Sequence, residues 1–163
     1  MNLIEGSTAA AGLRFALVVA RFNDFVTDRL QAGALEALTA AGVAAGDVDV
    51  LKVPGAFEIP LAARRAADTG AYDAIICLGC LIRGATAHFE YIASAASHGI
   101  TAAAAATGIP MTFGVLTTES AEQALERAGA GPANKGWEAA TAAVEMATLV
   151  RRLRPAPPGG AGA

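Results

Sequence analysis

The chain has 163 residues, of which 54% are hydrophobic and 17% charged, so it is large and apolar enough to form one packed domain. A net charge of −3 argues against non-specific nucleic-acid binding, and two cysteines exclude a fold built on disulfides. No apolar run reaches the ~18 residues of a membrane helix. The N-terminus lacks the early Lys or Arg that a secretory signal carries. These features predict a cytoplasmic protein that binds neither nucleic acid nor membrane.

Hydrophobic periodicity predicts four strands that alternate with helices. The predicted strands are residues 13–20, 48–53, 74–82 and 111–116. The first helix is predicted to be capped by Asp24 and to end at Gly42, and the second to end near Gly70. The remaining helices are predicted at about 88–107, 121–128 and 137–153.

This alternation predicts a three-layer αβα architecture, with a parallel sheet between two layers of helices. The chain divides into an arm at 1–12, a single domain at 13–154, and a Pro/Gly/Ala-rich tail at 155–163 that is predicted to be disordered. In such sheets, ligands bind beyond the carboxyl ends of the strands. The residues that follow the strands are therefore the candidates for chemistry.

Three loops at these strand ends carry glycine, aromatic or polar residues, and they predict one composite site. They are residues 21–23, 54–58 and 83–88. In the third loop, Gly84 allows close backbone approach, and the unpaired N–H groups of the next helix suit a phosphate. Thr86 could add a hydroxyl to that site. The alternative is that Thr86 is an ordinary N-cap.

Three side chains are candidates for proton transfer or anion binding. His88 falls in the first turn of its helix, where the dipole favours a neutral imidazole that can accept a proton; the alternative is a surface or packing histidine. Arg127 and Lys135 carry positive charge suited to an anion. The alternative for Arg127 is a cation that stabilises the last turn of its helix. The alternative for Lys135 is a solvated surface charge. His98 is predicted to be structural.

The aromatic and carboxylate candidates also have structural alternatives. Phe22 can stack on a planar ligand or close the core, and Glu58 can bind ligand hydroxyls or simply be an exposed helix residue. Phe57 and Phe113 are predicted from composition to be core residues. These assignments depend on burial, which the sequence pattern leaves open.

Cys77 and Cys80 form a C-x-x-C within the third predicted strand. Residues three apart on a strand point to opposite faces, so a disulfide between them is not expected, and the chain offers too few further ligands for a metal. Both are predicted to be inert buried thiols. Because G-x-G-x-x-G, P-loop and G-x-S-x-G motifs are absent, nucleotide cofactors and serine hydrolysis lose support.

Five segments together resemble the lumazine synthase family. They are residues 20–23 (ARFN), 53–60 (VPGAFEIP), 78–91 (LGCLIRGATAHFEY), 113–119 (FGVLTTE) and 134–136 (NKG). The resemblance, over about residues 12–152, implies a flavodoxin-like fold with a four-stranded parallel sheet. It also implies condensation of 5-amino-6-(D-ribitylamino)uracil with 3,4-dihydroxy-2-butanone 4-phosphate to 6,7-dimethyl-8-ribityllumazine. This is the penultimate step of riboflavin biosynthesis, and the family needs no metal or cofactor.

The resemblance also implies roles for individual residues. His88 is implied as the general acid/base. The implied pyrimidine- and ribityl-binding residues are Phe22, Asn23, Ala56, Phe57, Glu58, Cys80, Leu81, Ile82, Phe113 and Lys135. The implied phosphate-binding residues are Gly84, Ala85, Thr86 and Arg127. Of these, Phe113, Lys135 and Arg127 are implied to serve the site of an adjacent subunit.

The implied assembly is a pentamer, which some relatives build into a sixty-subunit shell, and riboflavin synthase is a candidate partner. Cys80 stands where relatives often carry Ala or Thr, and Leu81 stands where Val is common. Residues 130–133 differ from the sequence of many shell-forming relatives. The difference at residues 130–133 leaves both the pentamer and the sixty-subunit shell as alternatives. Two rivals to the enzyme remain: a shell protein of this fold that has lost catalysis, and a flavin- or lumazine-binding module.

Overall fold

A computed structural model describes residues 1–155 and contains a four-stranded sheet with helices on both faces. The elements are β1 (Phe15–Ala20), α1 (Asp24–Ala40), β2 (Val48–Val53), α2 (Ile59–Asp68), β3 (Ala74–Ile82), α3 (His88–Thr107), β4 (Met111–Thr118), α4 (Ala121–Arg127) and α5 (Lys135–Leu153). Short 3-10 turns at Ala45–Asp47 and Ala56–Glu58 precede β2 and α2. The predicted three-layer αβα architecture is confirmed.

The strand order is β2-β1-β3-β4, and all three strand pairs are parallel. The chain starts in β1 at the centre, moves outward to β2, and then returns to β3 on the other side of β1. The connections after β1 and β3 therefore leave in opposite directions, which opens a crevice at the carboxyl ends of these strands. This topology fixes where a ligand can enter.

Each face of the sheet has its own apolar core. Leu30 of α1 and Val144 of α5 belong to one core, while Ile59 of α2 and Ile100 of α3 belong to the other. The central strands are buried on both faces; β1, for example, is buried along its whole length. Such continuous burial explains why their sequences are unbroken apolar runs and do not alternate.

Several element boundaries differ from the prediction by up to two residues: α1 ends at Ala40 and α4 at Arg127, before Gly42 and residue 128. β1 begins at Phe15, two residues later than expected, and β4 continues to Thr118, where it still pairs with β3. α5 begins two residues early because the Asn134 side-chain oxygen accepts the N–H groups of Gly136 at 2.7 Å and Trp137 at 3.2 Å. This N-cap starts the helix before the apolar periodicity becomes visible.

The first twelve residues contain no helix or strand and lie along α5. The Ser7 N–H donates to the Thr148 hydroxyl at 2.7 Å, and the Arg152 guanidinium donates to the Glu5 carbonyl at 2.7 Å. The predicted disordered tail, 155–163, lies outside the described residues except for Pro155. Within residues 1–155, no helix combines the length and apolarity needed to cross a membrane.

Candidate active site

A cavity of about 670 Å³ lies at the carboxyl ends of β1, β2 and β3, beside the first turns of α3. The predicted site residues that line it are Phe22, Asn23, Ala56, Phe57, Glu58, Leu81, Ile82, Gly84, Thr86 and His88. These residues come from three loops that are far apart in the sequence. The sheet topology brings them around one space large enough for a small-molecule ligand.

Asn23 organises the turn between β1 and α1. It has φ 61° and ψ 46°, a left-handed conformation that Asn tolerates better than most residues, and its carbonyl accepts the Val26 N–H at 2.9 Å. It holds the N-cap position predicted for Asp24, which is instead the first helical residue. The Asn23 side-chain N–H donates to the Cys80 carbonyl at 2.9 Å, so it ties the end of β1 to β3.

Aromatic side chains at the cavity and at β4 are exposed. The exposed fraction is 68% for Phe22, 62% for Phe57 and 47% for Phe113. Since a core aromatic is almost fully buried, the core interpretation of Phe57 and Phe113 is wrong, and Phe22 does not close the core. Exposed rings of this kind can stack on a planar ligand or be covered by another subunit.

The loop after β2 places one carboxylate beside the cavity. A short 3-10 turn, Ala56–Glu58, leads into α2, and the Glu58 N–H donates to the Gly55 carbonyl at 3.2 Å. A Cβ on Gly55 would lie 3.2 Å from a Glu58 carboxylate oxygen, so glycine leaves that carboxylate room. The Ala56 side chain is buried in the core under α2, so this residue can offer a ligand its backbone.

The end of β3 contributes apolar side chains and backbone. Leu81 and Ile82 line the cavity, whereas the Cys80 side chain is buried in the core on the α1 and α5 face. Cys77 lies in the core on the opposite face, as the spacing along a strand predicted. Burial raises the pKa of the Cys77 thiol to about 12 and that of the Cys80 thiol to about 11, so neither is a nucleophile at neutral pH.

The loop between β3 and α3 exposes its backbone amides. Among the described residues, no protein group accepts a hydrogen bond from the N–H groups of residues 84–87. Ala87 is in the N-cap position, so the interpretation of Thr86 as the N-cap is wrong. The Thr86 hydroxyl makes only a long contact of 3.4 Å with the His88 N–H. These amides directly precede the first turn of α3, where the helix dipole favours an anion.

The two histidines have different surroundings on α3. His88 is the first residue of the helix, is exposed, and lines the cavity. His98 lies mid-helix, and its Nδ1 is 2.9 Å from the Ser94 carbonyl on its own helix. His88 is therefore the histidine available to a ligand in this cavity.

A second cavity, of about 290 Å³, lies along the outer edge of β4 and contains three further predicted residues, whereas Cys80 and Ala85 line neither cavity. Phe113, Arg127 and Lys135 line the second cavity together with Glu138. The Lys135 ammonium pairs with Glu138 at 2.7 Å, and the Arg127 guanidinium donates to the Gln123 carbonyl at 3.3 Å on its own helix. In the described part of the chain, the two cavities share no lining residue, so one subunit does not bring these three side chains to the first cavity.

Known proteins resemble this chain along nearly its whole length. A family model described as 6,7-dimethyl-8-ribityllumazine synthase matches residues 12–151. A curated protein of Desulfatibacillum aliphaticivorans, named 6,7-dimethyl-8-ribityllumazine synthase, is 53% identical over 153 residues, which is 94% of this chain and 99% of that protein. The chain belongs to the 6,7-dimethyl-8-ribityllumazine synthase family.

Membership of the lumazine synthase family confirms the resemblance and the flavodoxin-like fold inferred from the sequence. The matched region includes every residue that lines the two cavities. Both surfaces therefore belong to the part of the chain that defines a lumazine synthase.

The first cavity also has lining residues that the sequence analysis did not assign. They are Phe89, Tyr91 and Ile92 of α3, of which Tyr91 is 75% exposed. Tyr91 and Ile92 follow His88 by three and four positions, so all three lie on one face of the helix. That spacing is the signal by which Tyr91 and Ile92 could have been found.

Proposed function

We propose that the first cavity binds 5-amino-6-(D-ribitylamino)uracil and 3,4-dihydroxy-2-butanone 4-phosphate, and that the second cavity of a neighbouring subunit completes the site. The product is 6,7-dimethyl-8-ribityllumazine. The observation that carries this proposal is the convergence of Phe22, Glu58 and His88 with the free N–H groups of residues 84–87 around one space. An aromatic face, a carboxylate, an imidazole and an anion site match the parts of these two substrates.

The pyrimidine is proposed to stack on Phe22, whose ring is largely exposed. The Glu58 carboxylate accepts hydrogen bonds from ribityl hydroxyls, and the backbone of Ala56 contributes beside it. One Asn23 side-chain N–H is bonded to the Cys80 carbonyl, so the side-chain oxygen and the second N–H are left for the heterocycle. The backbone of Cys80, Leu81 and Ile82, at the end of β3, is proposed to meet the pyrimidine edge.

The phosphate is proposed to bind at Gly84, Ala85 and Thr86, through backbone N–H groups and the Thr86 hydroxyl. Arg127 from the neighbouring subunit adds a cation with a planar set of donors that suits phosphate. Both interactions strengthen as negative charge develops on the departing group, so they favour elimination.

His88 is proposed to move the protons of the condensation. The 5-amino group attacks the ketone carbon, and loss of water gives an imine. Loss of the C3 proton then expels phosphate from C4 and leaves an enol, which tautomerises to a ketone at C3. The ribitylamine nitrogen attacks this new ketone, and a second water leaves as the ring closes. His88 accepts a proton from the attacking amine and returns one to a leaving oxygen. Orientation of the two substrates supplies much of the remaining acceleration.

The shared site requires an oligomer, and the proposed unit is a pentamer. A closed ring satisfies head-to-tail contacts between the first cavity of one subunit and the β4 edge of the next. Exposed Phe57 and Phe113 provide apolar surface for such contacts. A sixty-subunit shell, riboflavin synthase as a partner, and a cytoplasmic location are finer proposals that rest on the resemblance and composition.

The deciding experiment mixes the purified protein with both substrates and follows lumazine fluorescence and phosphate release. We expect one phosphate per lumazine, at a rate above that of the substrates alone. A shell protein that has lost catalysis would give the uncatalysed rate. A binding module would quench the fluorescence of added lumazine without increasing its formation. Either result would contradict the proposed function.

A further inference from the structure

Arg83 follows β3 directly, and its guanidinium joins three segments of the chain. Nε donates to both carboxylate oxygens of Glu119, at 3.1 and 2.9 Å, and Nη1 donates to Glu90. The guanidinium carbon lies 4.6 Å from the centroid of the Phe89 ring. These residues are outside the set of predicted site residues, yet they surround the loop that begins α3.

The pair of Arg83 and Glu90 spans that loop. The Arg83 N–H donates to the Thr118 carbonyl at 2.8 Å, which extends the pairing of β3 with β4 and fixes one end. Glu90 lies in the first turn of α3 and fixes the other end. Between them, the N–H groups of residues 84–87 have no acceptor among the described protein groups. The ion pair is therefore a direct connection across a loop that has few bonds of its own.

Glu119 anchors the same guanidinium to a second rigid element. Its N–H donates to the Gln123 side chain at 2.9 Å, and the Ser120 hydroxyl caps α4 by accepting the Gln123 N–H at 3.2 Å. A planar guanidinium can bond two carboxylates at once, which a lysine ammonium does with less geometric control. The hydrogen bond from Arg83 also holds the pKa of Glu90 below its ordinary value, so the bridge is charged at neutral pH.

Exposed ion pairs contribute little to stability, so the consequence of this cluster is geometric. We propose that Arg83 is a positioning residue: by bridging Glu119 and Glu90 it sets the start of α3, and with it His88 and the N–H groups of residues 84–87, for the phosphate-bearing substrate. This inference rests on the proposed function. A displacement of about 1 Å can cost roughly 100-fold in rate, so a loose loop would impair the reaction without unfolding the protein.

The test compares Arg83→Met with the unaltered protein, varying each substrate in turn. We expect roughly tenfold changes, a higher KM for the butanone phosphate and a lower kcat, with the KM for the pyrimidine within about twofold. Arg64→Met is the matched control, because Arg64 is similarly exposed and paired, with Asp68 at 3.0 Å on α2. This control should change neither constant, and both variants should keep the unfolding temperature of the unaltered protein.

A second variant, Glu90→Met, removes the connection across the loop and leaves the bond to Glu119 in place. It should shift the same two constants, and combining it with Arg83→Met should add little because both act through one bridge. Unchanged constants in Arg83→Met overturn the inference, as does an equal rise in both KM values with a lower unfolding temperature. If Arg83→Met does not fold, unchanged constants in Glu90→Met overturn it. Failure of the unaltered protein to form lumazine overturns the proposed function as well.

Discussion

The Asn23 side-chain N–H donates a hydrogen bond of 2.9 Å to the Cys80 carbonyl, across 57 residues of sequence. Asn23 is also the one non-glycine residue with a positive φ within residues 1–155. A single side chain thus supports the turn that presents Phe22 and joins it to the strand that leads into the phosphate loop. This arrangement makes Asn23 a support of the site as well as a candidate contact.

Replacement of Asn23 should separate these two contributions. Asn23→Gly keeps the left-handed backbone but removes the bond, so we expect a loss of about 1 kcal/mol in the free energy of unfolding. Asn23→Ala adds the cost of a left-handed alanine, for a total of roughly 2–3 kcal/mol. Urea denaturation measures both values. Equal stability of the two variants would contradict a role for the backbone conformation.

His88→Ala should lower kcat by roughly 10- to 1000-fold, because one acid/base group typically supplies 10²–10⁴ and orientation of the substrates would persist. Steady-state formation of lumazine measures this effect. His98→Ala is the matched control on the same helix, since the His98 ring contacts Ser94 of its own helix. Turnover of His88→Ala equal to that of the control would remove His88 from the mechanism.

Arg127→Ala should raise the KM for the butanone phosphate far more than that for the pyrimidine, because only the phosphate loses its cation. Initial rates with each substrate varied in turn measure the two constants. Arg65→Ala is a suitable control, since Arg65 is also in the last turn of a helix, α2, and exposed. Equal changes for the two substrates would indicate that Arg127 is structural, in line with its bond to the Gln123 carbonyl.

Stability should fall in alkaline solution because of the buried thiols. Burial raises the pKa of Cys77 to about 12 and that of Cys80 to about 11, from an ordinary value of 9.0, so the folded chain keeps protons that the unfolded chain loses. Their contribution is fully present below pH 9 and is lost as the pH rises through these values. Replacing both cysteines with alanine should flatten the decline measured by denaturation at increasing pH.

Part of that alkaline slope should remain in the double cysteine variant. The hydrogen bond to Asp49 raises the pKa of Tyr72, so Tyr72 contributes in the same direction.

A mild thiol oxidant or a chelator should leave the activity of the unaltered protein intact, since the proposed reaction uses neither a disulfide nor a metal. Loss of activity with chelator would reopen a metal site.

The shared site predicts that two impaired variants can complement each other. In a co-assembled mixture of His88→Ala and Arg127→Ala subunits, about a quarter of sites in a closed head-to-tail ring receive both intact residues. Activity of the mixture above that of either variant alone would support the shared site, and sedimentation would measure the particle. No recovery in confirmed mixed oligomers, or an active monomer, would contradict the shared site. A particle with the mass of one pentamer at all protein concentrations would contradict the sixty-subunit shell.

Local signals were sufficient for much of the fold. The apolar run of β3 and the helical spacing of α3 predicted Ala74–Ile82 and His88–Thr107 at the bounds that the structure has. Alternation of strands and helices predicted the three layers, and the strand-end loops predicted which segments meet at the cavity. Hydrophobic periodicity and turn residues act over a few positions, so they can be interpreted from the sequence alone.

Contacts between distant segments decided the rest. The Asn23 side chain bonds a carbonyl 57 residues away, and the bridge from Arg83 to Glu119 spans 36 residues. Composition predicted Phe57 and Phe113 to be buried, but Phe57 lies in the turn before α2 and Phe113 on the edge strand β4, and both rings are exposed. The placement of Arg127 and Lys135 in a separate cavity likewise follows from strand order. Burial and long-range pairing are properties of the packed chain, and no local pattern encodes them.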